Sequence, residues 1–458
     1  MLQAYNMHPE PVILIFDVGK TNKKYCLINE QYHIVFSRSV QLPESVDDDG
    51  FPCEDLQLLI DWVSATIASV FNLTDYQIKA INFSAYGASF VHLDKDGKPV
   101  TQLYNYLKPY PESLSNQFYK LYGSKDGIAL QTCSPVLGSL NSGMQLYRLK
   151  YEQPEIFSRI AFSLHMPQYL SYLVSGKLLT EITSIGCHTQ LWNFKNNAYD
   201  DWVINEGLDD KFPPLVPSCS VHKITIHNQL IAVGAGLHDS SAALLPYLIG
   251  FSEPFALIST GTWCISFNPI NNSPLTIEEL RQDCLSYLSY QGKPVKASRL
   301  FTGQYHDTEA RRIAEYFNQG PDFYKTILFN KYLIPDKELI LAEQKISEKR
   351  VNIESIDCSQ CTDADSAYHH LVLKIVIHQI HSTQLILNNA PVNKIFVDGG
   401  FSKNEIYIHL LALLFPAIEV YAASFAQASA LGAALAVHSS WNKQPLPPGI
   451  VELRKIHA

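Results

Sequence analysis

The chain has 458 residues, of which 47% are hydrophobic and 17% are charged, and this length accommodates two domains, each with its own core. Its 44 acidic and 35 basic residues give a net charge of −9, and its lysines and arginines form no run that could follow a nucleic-acid backbone. The composition therefore argues against a polyanionic partner.

The N-terminal segment and the cysteines bear on the location of the protein. The first apolar run ends at Asp17, has no basic leader and is too short for a membrane span, so we expect neither a signal peptide nor an anchor. Nine cysteines spread along the chain are typical of reduced intracellular thiols rather than of a disulfide framework. These features predict a cytoplasmic protein.

Hydrophobic periodicity predicts strands mixed with helices, and hence an α/β fold. In chain order we expect strands at residues 12–16, 25–28 and 33–37, a helix at 56–70, a strand at 78–83 and a turn at 94–97. A similar order recurs late, with a helix at 367–387, a strand at 394–397, a further helix, a strand at 418–421 and a small-residue helix at 426–438. The proline-containing stretch 246–254 predicts a boundary between domains 1–248 and 249–458.

Three polar loops have the composition of phosphate-binding sites. The first reads DVGKTNKK, residues 17–24, where a buried strand meets a glycine that permits a sharp turn. The residues that then offer donors or positive charge are Gly19, Lys20, Thr21, Asn22 and Lys24. A P-loop is excluded because its first glycine would fall at position 14, which is Leu. An ordinary hairpin with a polar turn is the alternative.

The second loop lies in LISTGTWCISF, where apolar residues give way to Ser259, Thr260, Gly261 and Thr262. Backbone N–H groups and hydroxyls in such a turn hold phosphate oxygens. A plain β-hairpin explains the same pattern.

The third loop is IFVDGGFSKNE, residues 395–405, in which a strand is followed by two glycines and a helix start. Gly399 and Gly400 permit close approach of a nucleotide, and Ser402 and Asn404 stand near a helix N-terminus that favours negative charge. A β-to-α turn with an N-cap is the simpler explanation of this loop taken alone.

Between these loops, His238 and Asp239 enter a helix rich in small residues, in GAGLHDSSAAL. An aspartate at this place serves in many proteins only as a helix cap. Phosphoryl transfer to a hydroxyl, however, needs a carboxylate that accepts the proton and donors that orient the phosphates. Asp239, Asp17 and the three loops together supply these groups.

Two further patterns are not predicted to carry function. Cys358 and Cys361 form a C-x-x-C, but no second pair stands at zinc-binding spacing. The segment GAGLHD lacks the third glycine of a dinucleotide fingerprint, because Asp239 takes its place.

The ordered set of motifs, across residues 12–438, resembles the FGGY family of carbohydrate kinases, within the actin, Hsp70 and hexokinase superfamily. DVGKTNKK is similar to the first phosphate loop of that family, GLHDSSAA to its catalytic-aspartate segment, STGTW to its second phosphate loop and DGGFSKNE to its adenosine motif. Within the family, FSAYGASFVHLDKDG and EITSIGCHTQLWNF look closest to the L-rhamnulose and L-fuculose kinases.

The resemblance implies two actin-like, ribonuclease-H-like domains that flank a cleft for ATP and a sugar. The N-terminal domain would bind the sugar and carry the first phosphate loop, and the C-terminal domain would bind the nucleotide. Asp239 would be the general base, and Asp17 the carboxylate near Mg²⁺. The implied ATP-binding residues are Asp17, Gly19, Lys20, Thr21, Asn22, Lys24, Thr260, Gly261, Thr262, Gly399, Gly400, Ser402 and Asn404. The implied sugar-binding residues are Tyr86, Gly87, Ser89, His238 and Asp239.

The chain departs from the family pattern in both sites. Lys20 and Asn22 replace a usual Thr-Ser pair, although added positive charge suits a triphosphate. The deoxyketose kinases carry an aspartate after a Trp-Gly, and an arginine soon after, where this chain reads Tyr86, Gly87, Ala88, Ser89 and then YLKPY. These departures favour a sugar that differs from rhamnulose and fuculose. The resemblance alone implies a small ketose, such as L-rhamnulose, L-fuculose or a pentulose.

Two other functions are compatible with these motifs. A sugar or nucleotide sensor would keep the fold without catalysis, although Asp239 and Asp17 are both present. A chaperone-type ATPase would need a separate peptide-binding segment after the second domain. Small-molecule sugar and ATP are the expected partners, and the protein is expected to be a monomer or homodimer.

Overall fold

A computed structural model describes residues 8–261, 263–335, 340, 353–388, 390–423 and 427–457. Its strands are β1 (Glu10–Val18), β2 (Lys23–Asn29), β3 (Ile34–Val40), β4 (Glu44–Val46), β5 (Pro52–Glu54), β6 (Tyr76–Ala85), β7 (Phe90–Leu93), β8 (Phe162–His165), β9 (Thr180–Glu181), β10 (Trp192–Asn193), β11 (Ala198–Tyr199), β12 (Leu215–Val216), β13 (Val221–Ile226), β14 (Gln229–Gly234), β15 (Leu237–His238), β16 (Phe255–Thr260), β17 (Cys264–Asn268), β18 (Cys284–Leu288), β19 (Pro294–Leu300), β20 (Lys394–Gly399), β21 (Glu419–Ala423) and β22 (Leu453–Lys455).

Its α-helices, numbered in the same way, are α1 (Leu56–Phe71), α2 (Glu112–Tyr122), α3 (Lys125–Thr132), α4 (Ser142–Glu152), α5 (Pro154–Arg159), α6 (Met166–Ser175), α7 (Ile182–Ile185), α8 (Asp201–Asn205), α9 (Asp239–Gly250), α10 (Ile277–Arg281), α11 (Gly303–Tyr316), α12 (Ala364–Leu387), α13 (Glu405–Leu414), α14 (Ala428–Ala436) and α15 (His438–Trp441). Within the described residues, no helix is both long and apolar enough to cross a membrane.

The chain divides into two compact units. The first comprises residues 1–248, 286–294 and 429–450, and the second comprises residues 249–285, 295–428 and 451–458. Two short segments from the later part of the chain therefore pack with the N-terminal unit.

The first unit is built on a seven-stranded sheet with β1 in its interior. The order is β13-β14-β6-β1-β2-β3, and β15 also pairs with β6. β1 and β2 form an antiparallel hairpin, whereas β1 and β6 run parallel. Residues 12–16 of β1 are fully buried, as expected for a central strand covered on both faces.

Helix α1 shows how the sequence covers this sheet. Asp55 caps the helix by accepting a hydrogen bond from the backbone N–H of Leu58. Its buried side chains recur at helical spacing, and four of them join the core formed by β1 and β6: Leu56, Leu59, Val63 and Val70. Thr66 is also buried.

The second unit repeats the strand arrangement of the first. Its sheet has the order β18-β19-β17-β16-β20-β21-β22. β16 and β17 form an antiparallel hairpin, β16 runs parallel to β20, and β20 runs parallel to β21, in the same pattern as β1, β2, β6 and β14. The turn between β16 and β17 thus corresponds to the turn between β1 and β2, although the sequences differ.

The strands and helices predicted from periodicity are found, with shifts of a few residues at their ends. Within the expected boundary stretch 246–254, Pro246 lies inside α9, which continues to Gly250, and the main segment of the first unit ends at residue 248. The small-residue helix spans Ala428–Ala436 and is followed by the separate α15, while residue 426 lies outside the described residues. The nine cysteines, all of which are described, form no disulfide.

Candidate active site

Asp17 lies near the end of β1, where the sheet register gives it polar neighbours. It pairs with Lys24 of β2 and with Ser84 of β6. The hydroxyl of Ser429 donates a hydrogen bond of 3.0 Å to Asp17 Oδ2. Burial raises the pKa of Asp17 to about 6, and the Asp239 carboxylate adds to this effect, while the Ser429 and Ser84 hydrogen bonds and the Lys24 charge oppose it.

Asp239 is the first residue of α9, and the sheet places it beside Asp17. In the preceding β15, Leu237 pairs with Ser84 of β6, which is also the register partner of Asp17. β1, β6 and β15 are parallel, so their carboxyl ends lie at one edge of the sheet, where ligands bind in open α/β sheets. Two aspartates more than 200 positions apart thus become neighbours.

Asp239 makes three contacts through one of its carboxylate oxygens. Its Oδ1 accepts hydrogen bonds from the backbone N–H of Ser240 at 2.6 Å and from the Ser240 hydroxyl at 3.2 Å, and His238 Nε2 lies 3.3 Å from the same oxygen. Burial nevertheless raises the pKa of Asp239 to about 6. Burial also lowers the pKa of His238 to about 3, so this imidazole is neutral at neutral pH and does not form an ion pair with the carboxylate.

Two tyrosines stand close to the carboxylates. Tyr86 follows β6, and its ring centroid lies 5.9 Å from that of Tyr106. Burial raises the pKa of Tyr106 to about 12, and the negative charges of Asp239 and Glu54 add to this rise. Burial and Glu54 likewise raise the pKa of Tyr86. The sequence analysis missed Tyr106, which lies in the YLKPY segment that was noted only for its lack of arginine.

Gly87 lies against a group of side chains around His238. A Cβ atom at Gly87 would lie 3.1 Å from Cys187 Sγ and 3.1 Å from His238 Nε2. The ring of His238 lies 5.3 Å from that of Tyr287 and 5.9 Å from that of His188. Motif reading did not single out Cys187, His188 or Tyr287, because nothing local in the sequence shows that they meet His238.

The remaining part of the predicted sugar-binding segment is held by internal hydrogen bonds. Ala88 has a left-handed backbone with φ of 69°, and Gln145 Nε2 donates to its carbonyl at 2.6 Å and to that of Ser139 at 2.5 Å. Ser89 is buried, and its hydroxyl donates to the Tyr104 carbonyl at 3.1 Å. The Ser89 hydroxyl is thus engaged within the protein rather than presented to a ligand.

The lysine of YLKPY does not stand in for the missing arginine. Lys108 Nζ lies 2.5 Å from Asp47 Oδ2 and 2.6 Å from Asp49 Oδ2. Its charge is therefore neutralised by these two carboxylates.

The first phosphate loop is organised around a lysine that the sequence analysis did not select. The Gly19 N–H donates to the Asn22 carbonyl at 3.0 Å, which closes the turn. Lys23 Nζ donates to the carbonyls of Gly19 and Lys20 at 3.0 and 2.9 Å, and it lies 2.7 Å from Glu54 Oε2. A buried ammonium group thus ties this turn to the end of β5.

The predicted phosphate-binding side chains of this loop differ in their surroundings. Lys20 Nζ lies 3.1 Å from Glu44 and 3.4 Å from Glu54, so acidic residues offset its charge. Thr21 and Asn22 are exposed at the tip of the turn.

The second loop is the hairpin turn between β16 and β17, in the second unit. The Gly261 N–H donates to a carbonyl two residues further on, at 2.9 Å. The hydroxyl of Thr260 donates to the Asp398 carbonyl and accepts a hydrogen bond of 2.9 Å from the Phe401 N–H. Thr260 therefore joins the second loop to the third, and Thr262 lies outside the described residues.

The third loop follows β20 in the same unit. Gly399 has φ of +79°, and a Cβ atom there would overlap the backbone of Thr260. Gly400, by contrast, has a helical backbone, and a Cβ atom there would have no atom of the described residues within 4 Å. The fold therefore requires a glycine at position 399, whereas the described part of the chain does not require one at position 400.

Ser402 and Asn404 are both engaged inside the second unit. The hydroxyl of Ser402 donates to the carbonyls of Gly399 and Ala423 at 2.9 and 3.1 Å. Asn404 caps α13 by accepting from the Tyr407 N–H at 3.0 Å, and its amide donates to the Tyr368 hydroxyl at 2.7 Å. These side chains shape the loop.

Asp17 and Asp239 both lie in a part of the chain that a protein-family model matches. The model for the N-terminal domain of the FGGY family of carbohydrate kinases matches residues 12–245, which is just over half of the 458 residues. The chain belongs to the FGGY family of carbohydrate kinases. Members of this family transfer phosphate from ATP to sugars, and the expectation of an ATP-dependent sugar phosphotransferase is confirmed.

Solved structures share the fold of this FGGY kinase. A carbohydrate kinase from Novosphingobium aromaticivorans is 22% identical, with a TM-score of 0.75, and the match covers 98% of this chain and 94% of that one. A ligand-bound xylulose kinase from Lactobacillus acidophilus is 16% identical, with a TM-score of 0.76 and coverage of 97% and 93%. Plasmodium falciparum glycerol kinase with ADP is 16% identical, with a TM-score of 0.69 and coverage of 94% and 90%. The expected α/β fold of two actin-like domains is confirmed.

Proposed function

We propose that this FGGY kinase transfers the γ-phosphate of ATP to a hydroxyl of a small, uncharged ketose, such as L-rhamnulose, L-fuculose or a pentulose, with Asp239 as the general base. The observation that carries this proposal is the pair of neighbouring carboxylates, Asp17 and Asp239, each with a pKa raised by burial to about 6. A carboxylate with this pKa is ionised at neutral pH yet more basic than an ordinary aspartate, which suits it to accept the proton of a sugar hydroxyl.

The three contacts of Asp239 suggest which of its oxygens accepts that proton. The two hydrogen bonds from Ser240 and the His238 contact all involve Oδ1. These contacts orient the carboxylate and leave Oδ2 as the oxygen that we assign to the sugar hydroxyl. Ser240 and His238 are therefore positioning residues for the base.

Asp17 is proposed to lie near the Mg²⁺ that accompanies ATP. The donors at this place are hard oxygen ligands, namely the carboxylates of Asp17 and Asp239 and the hydroxyl of Ser429, which suit Mg²⁺. Because the two carboxylates repel each other, a divalent cation would also lower the cost of ionising both. When bound, Mg²⁺ would neutralise charge on the phosphates; Asp17 would orient that complex through its own oxygens.

The loops support nucleotide binding in different ways. In the first unit, Lys24 lies beside Asp17, whereas acidic residues offset the charges of Lys20 and Lys23. In the second unit, we assign the nucleoside to the turn at Gly399 and Gly400, where a Cβ atom at the second glycine would have no described atom within 4 Å. Backbone groups and Lys24, rather than many charged side chains, would then hold the triphosphate.

The surroundings of Asp239 favour an uncharged sugar over a sugar acid. Its neighbours include the Asp17 carboxylate, the neutral His238 and the hydroxyl-bearing Tyr106. A substrate carboxylate would be repelled by Asp17 and Asp239. Xylulose kinases from L. acidophilus and Rhodospirillum rubrum have this fold, and so does a gluconate kinase from L. acidophilus; the charge pattern supports the first kind of substrate.

A coupled assay of ADP release tests the proposal. L-Rhamnulose, L-fuculose, D-xylulose and L-ribulose would be compared with glycerol and gluconate at equal concentration and at low salt. We expect release with at least one ketose, at a kcat/KM well above that for gluconate. Release with gluconate alone would contradict the substrate class, and binding of sugar and ATP without ADP release would favour the non-catalytic sensor.

A further inference from the structure

A buried cysteine and two buried histidines meet next to the proposed base. The ligand atoms of Cys187, His188 and His238 all lie within 4.8 Å of one another. The three residues are 1%, 8% and 2% exposed. A thiolate and two imidazoles are the donors that Zn²⁺ prefers, and three protein ligands are enough when a fourth position is taken by another group.

The hydrogen bonds behind the two imidazoles favour this use. His188 Nδ1 lies 3.2 Å from the Leu140 carbonyl, which only accepts, so Nδ1 carries the proton and Nε2 has the lone pair. His238 Nδ1 lies 3.4 Å from Ser241 Oγ, whose own proton goes to the Leu288 carbonyl at 3.2 Å. A proton on His238 Nδ1 would thus have an acceptor whenever Nε2 binds a metal. Such partners orient metal-binding histidines in known sites.

A glycine and a fourth donor lie next to these ligand atoms. Gly87 has no side chain, and a Cβ atom there would press against both Cys187 Sγ and His238 Nε2. Asp239 Oδ1 lies 3.3 Å from His238 Nε2, so a cation held by this nitrogen would lie within reach of the carboxylate. Mg²⁺ does not suit this set, because it requires oxygen ligands.

We propose that Cys187, His188 and His238 form a binding site for Zn²⁺ or a similar soft divalent cation, and that its occupancy inhibits the kinase by engaging Asp239. Binding releases one proton to solvent, from the Cys187 thiol; His238 keeps a single proton, which moves to Nδ1. While its carboxylate is bound to the cation, Asp239 no longer accepts a proton from the sugar. The inhibition rests on the proposed function, whereas the metal site itself does not.

Titration of the metal-stripped, full-length protein with Co²⁺ tests the site directly. Co²⁺ reports a thiolate ligand through a sulfur-to-metal charge-transfer absorption band. We expect one equivalent of Co²⁺ to produce this band and Zn²⁺ to abolish it, because Zn²⁺ binds such donors more tightly. Cys187→Ser should remove the band, and the exposed Cys219 serves as the matched control, because Cys219→Ser should keep it.

Two more variants test whether the Co²⁺ band arises from the proposed site. Cys358→Ser combined with Cys361→Ser should also keep the band, since these cysteines form a separate C-x-x-C. His188→Gln should weaken Co²⁺ binding at least about tenfold, because loss of even an outer partner of a metal site costs that much. Circular dichroism would show that each variant is folded. A wild type without the band, or a band that survives Cys187→Ser, overturns the proposal.

Zn²⁺ sensitivity of ADP release tests the inhibition. Each variant is compared with its own zinc-free rate, and a chelator that leaves Mg²⁺ in solution should restore the wild type. We expect Cys187→Ser to need at least about tenfold more Zn²⁺ for half-inhibition. Equal sensitivity overturns the inhibitory role. A protein that shows the Co²⁺ band but no ADP release with any sugar keeps the metal site and loses the proposed kinase chemistry.

Discussion

Lys23 Nζ and Glu54 Oε2 lie 2.7 Å apart, in a pair whose side chains are only 3% and 8% exposed. The same ammonium group donates to the carbonyls of Gly19 and Lys20. The Lys23 ammonium group, which holds the first phosphate loop closed, is thus paired inside the protein. It is therefore unavailable to a nucleotide.

Replacing Lys23 should therefore destabilise the protein without mimicking the loss of a phosphate ligand. Lys23→Met leaves the buried Glu54 carboxylate with only Lys20 at 3.4 Å, and the loss of the closer partner of a buried pair should cost up to about 3–5 kcal/mol. Thermal unfolding would measure the change. Lys325→Ala is the control, because Lys325 pairs with Asp322 at the surface, where both side chains are more than half exposed, and should change stability by less than about 0.5 kcal/mol. Equal effects of the two variants would contradict the role of Lys23.

Asp239→Asn should abolish sugar phosphorylation. The amide keeps the size of the side chain and an oxygen for the Ser240 hydrogen bonds, but it does not accept a proton. We expect turnover to fall by about 10²- to 10⁴-fold, with the affinity for ATP changed by less than about twofold. ADP release and calorimetric nucleotide titration would measure both quantities. Turnover close to that of the wild type would rule out Asp239 as the base.

The activity should fall in mildly acidic solution. Asp239 must be ionised to accept a proton, and its pKa is raised to about 6. The neighbouring Asp17 titrates in the same range, so log(kcat/KM) should decline below pH 6 with a slope between about 1 and 2 per pH unit. Rates measured from pH 5 to 8, with circular dichroism at each pH, would test this. A flat profile down to pH 5 in folded protein would argue against both assignments.

The same pKa shift has a consequence for stability. The pKa of Asp239 rises from 3.8 to about 6 on folding, so its contribution to stability is present below pH 4 and is lost as the pH rises through 6. Asp239→Asn should therefore be more stable than the wild type at pH 8, by about 1–2 kcal/mol after allowance for partial exposure. Unfolding temperatures at pH 8 and pH 5 would be compared. The difference should shrink at the lower pH, and a difference that grows there would contradict this account.

The two adjacent glycines of the third loop allow a matched comparison. Gly399→Ala places a side chain on a left-handed backbone and against Thr260, so the variant should lose stability by more than about 1 kcal/mol. Gly400→Ala should leave stability nearly unchanged, because none of the residues that the structure describes occupies that space. If the nucleoside binds there, Gly400→Ala should instead raise the KM for ATP several-fold. An unaltered KM would place the nucleoside elsewhere.

Local patterns in the sequence predict much of this fold because they report local physics. The buried run of β1, the periodicity of α1 and the strand before Gly399 are each decided by neighbours within a few residues. Pro246 lies inside α9, which continues to Gly250, so the proline marks no break in the helix, although the main segment of the first unit ends at residue 248.

The candidate site could be predicted only where a motif marks it. Asp17 and Asp239 stand in recognisable segments, and the register of β6 brings them together. Long-range contacts bring three further residues to the same region, namely Tyr106, Tyr287 and Ser429. No local sequence pattern predicts these contacts. Glu54, which lies about 30 positions further along the chain, decides which lysine of the first phosphate loop is engaged inside the protein. Its carboxylate lies 2.7 Å from Lys23 and 3.4 Å from Lys20.

Residues 429–450 come late in the chain but pack with the first unit, which bears on how this protein folds. The amide of Asn82 donates to the carbonyl of Ala433, and Gly432 packs so tightly on Ala242 that a Cβ atom there would overlap its backbone. During synthesis, the first unit gains these contacts only after residues 429–450 have left the ribosome. A fragment cut at residue 248 would lack this support, so the N-terminal unit cannot be studied as a simple truncation.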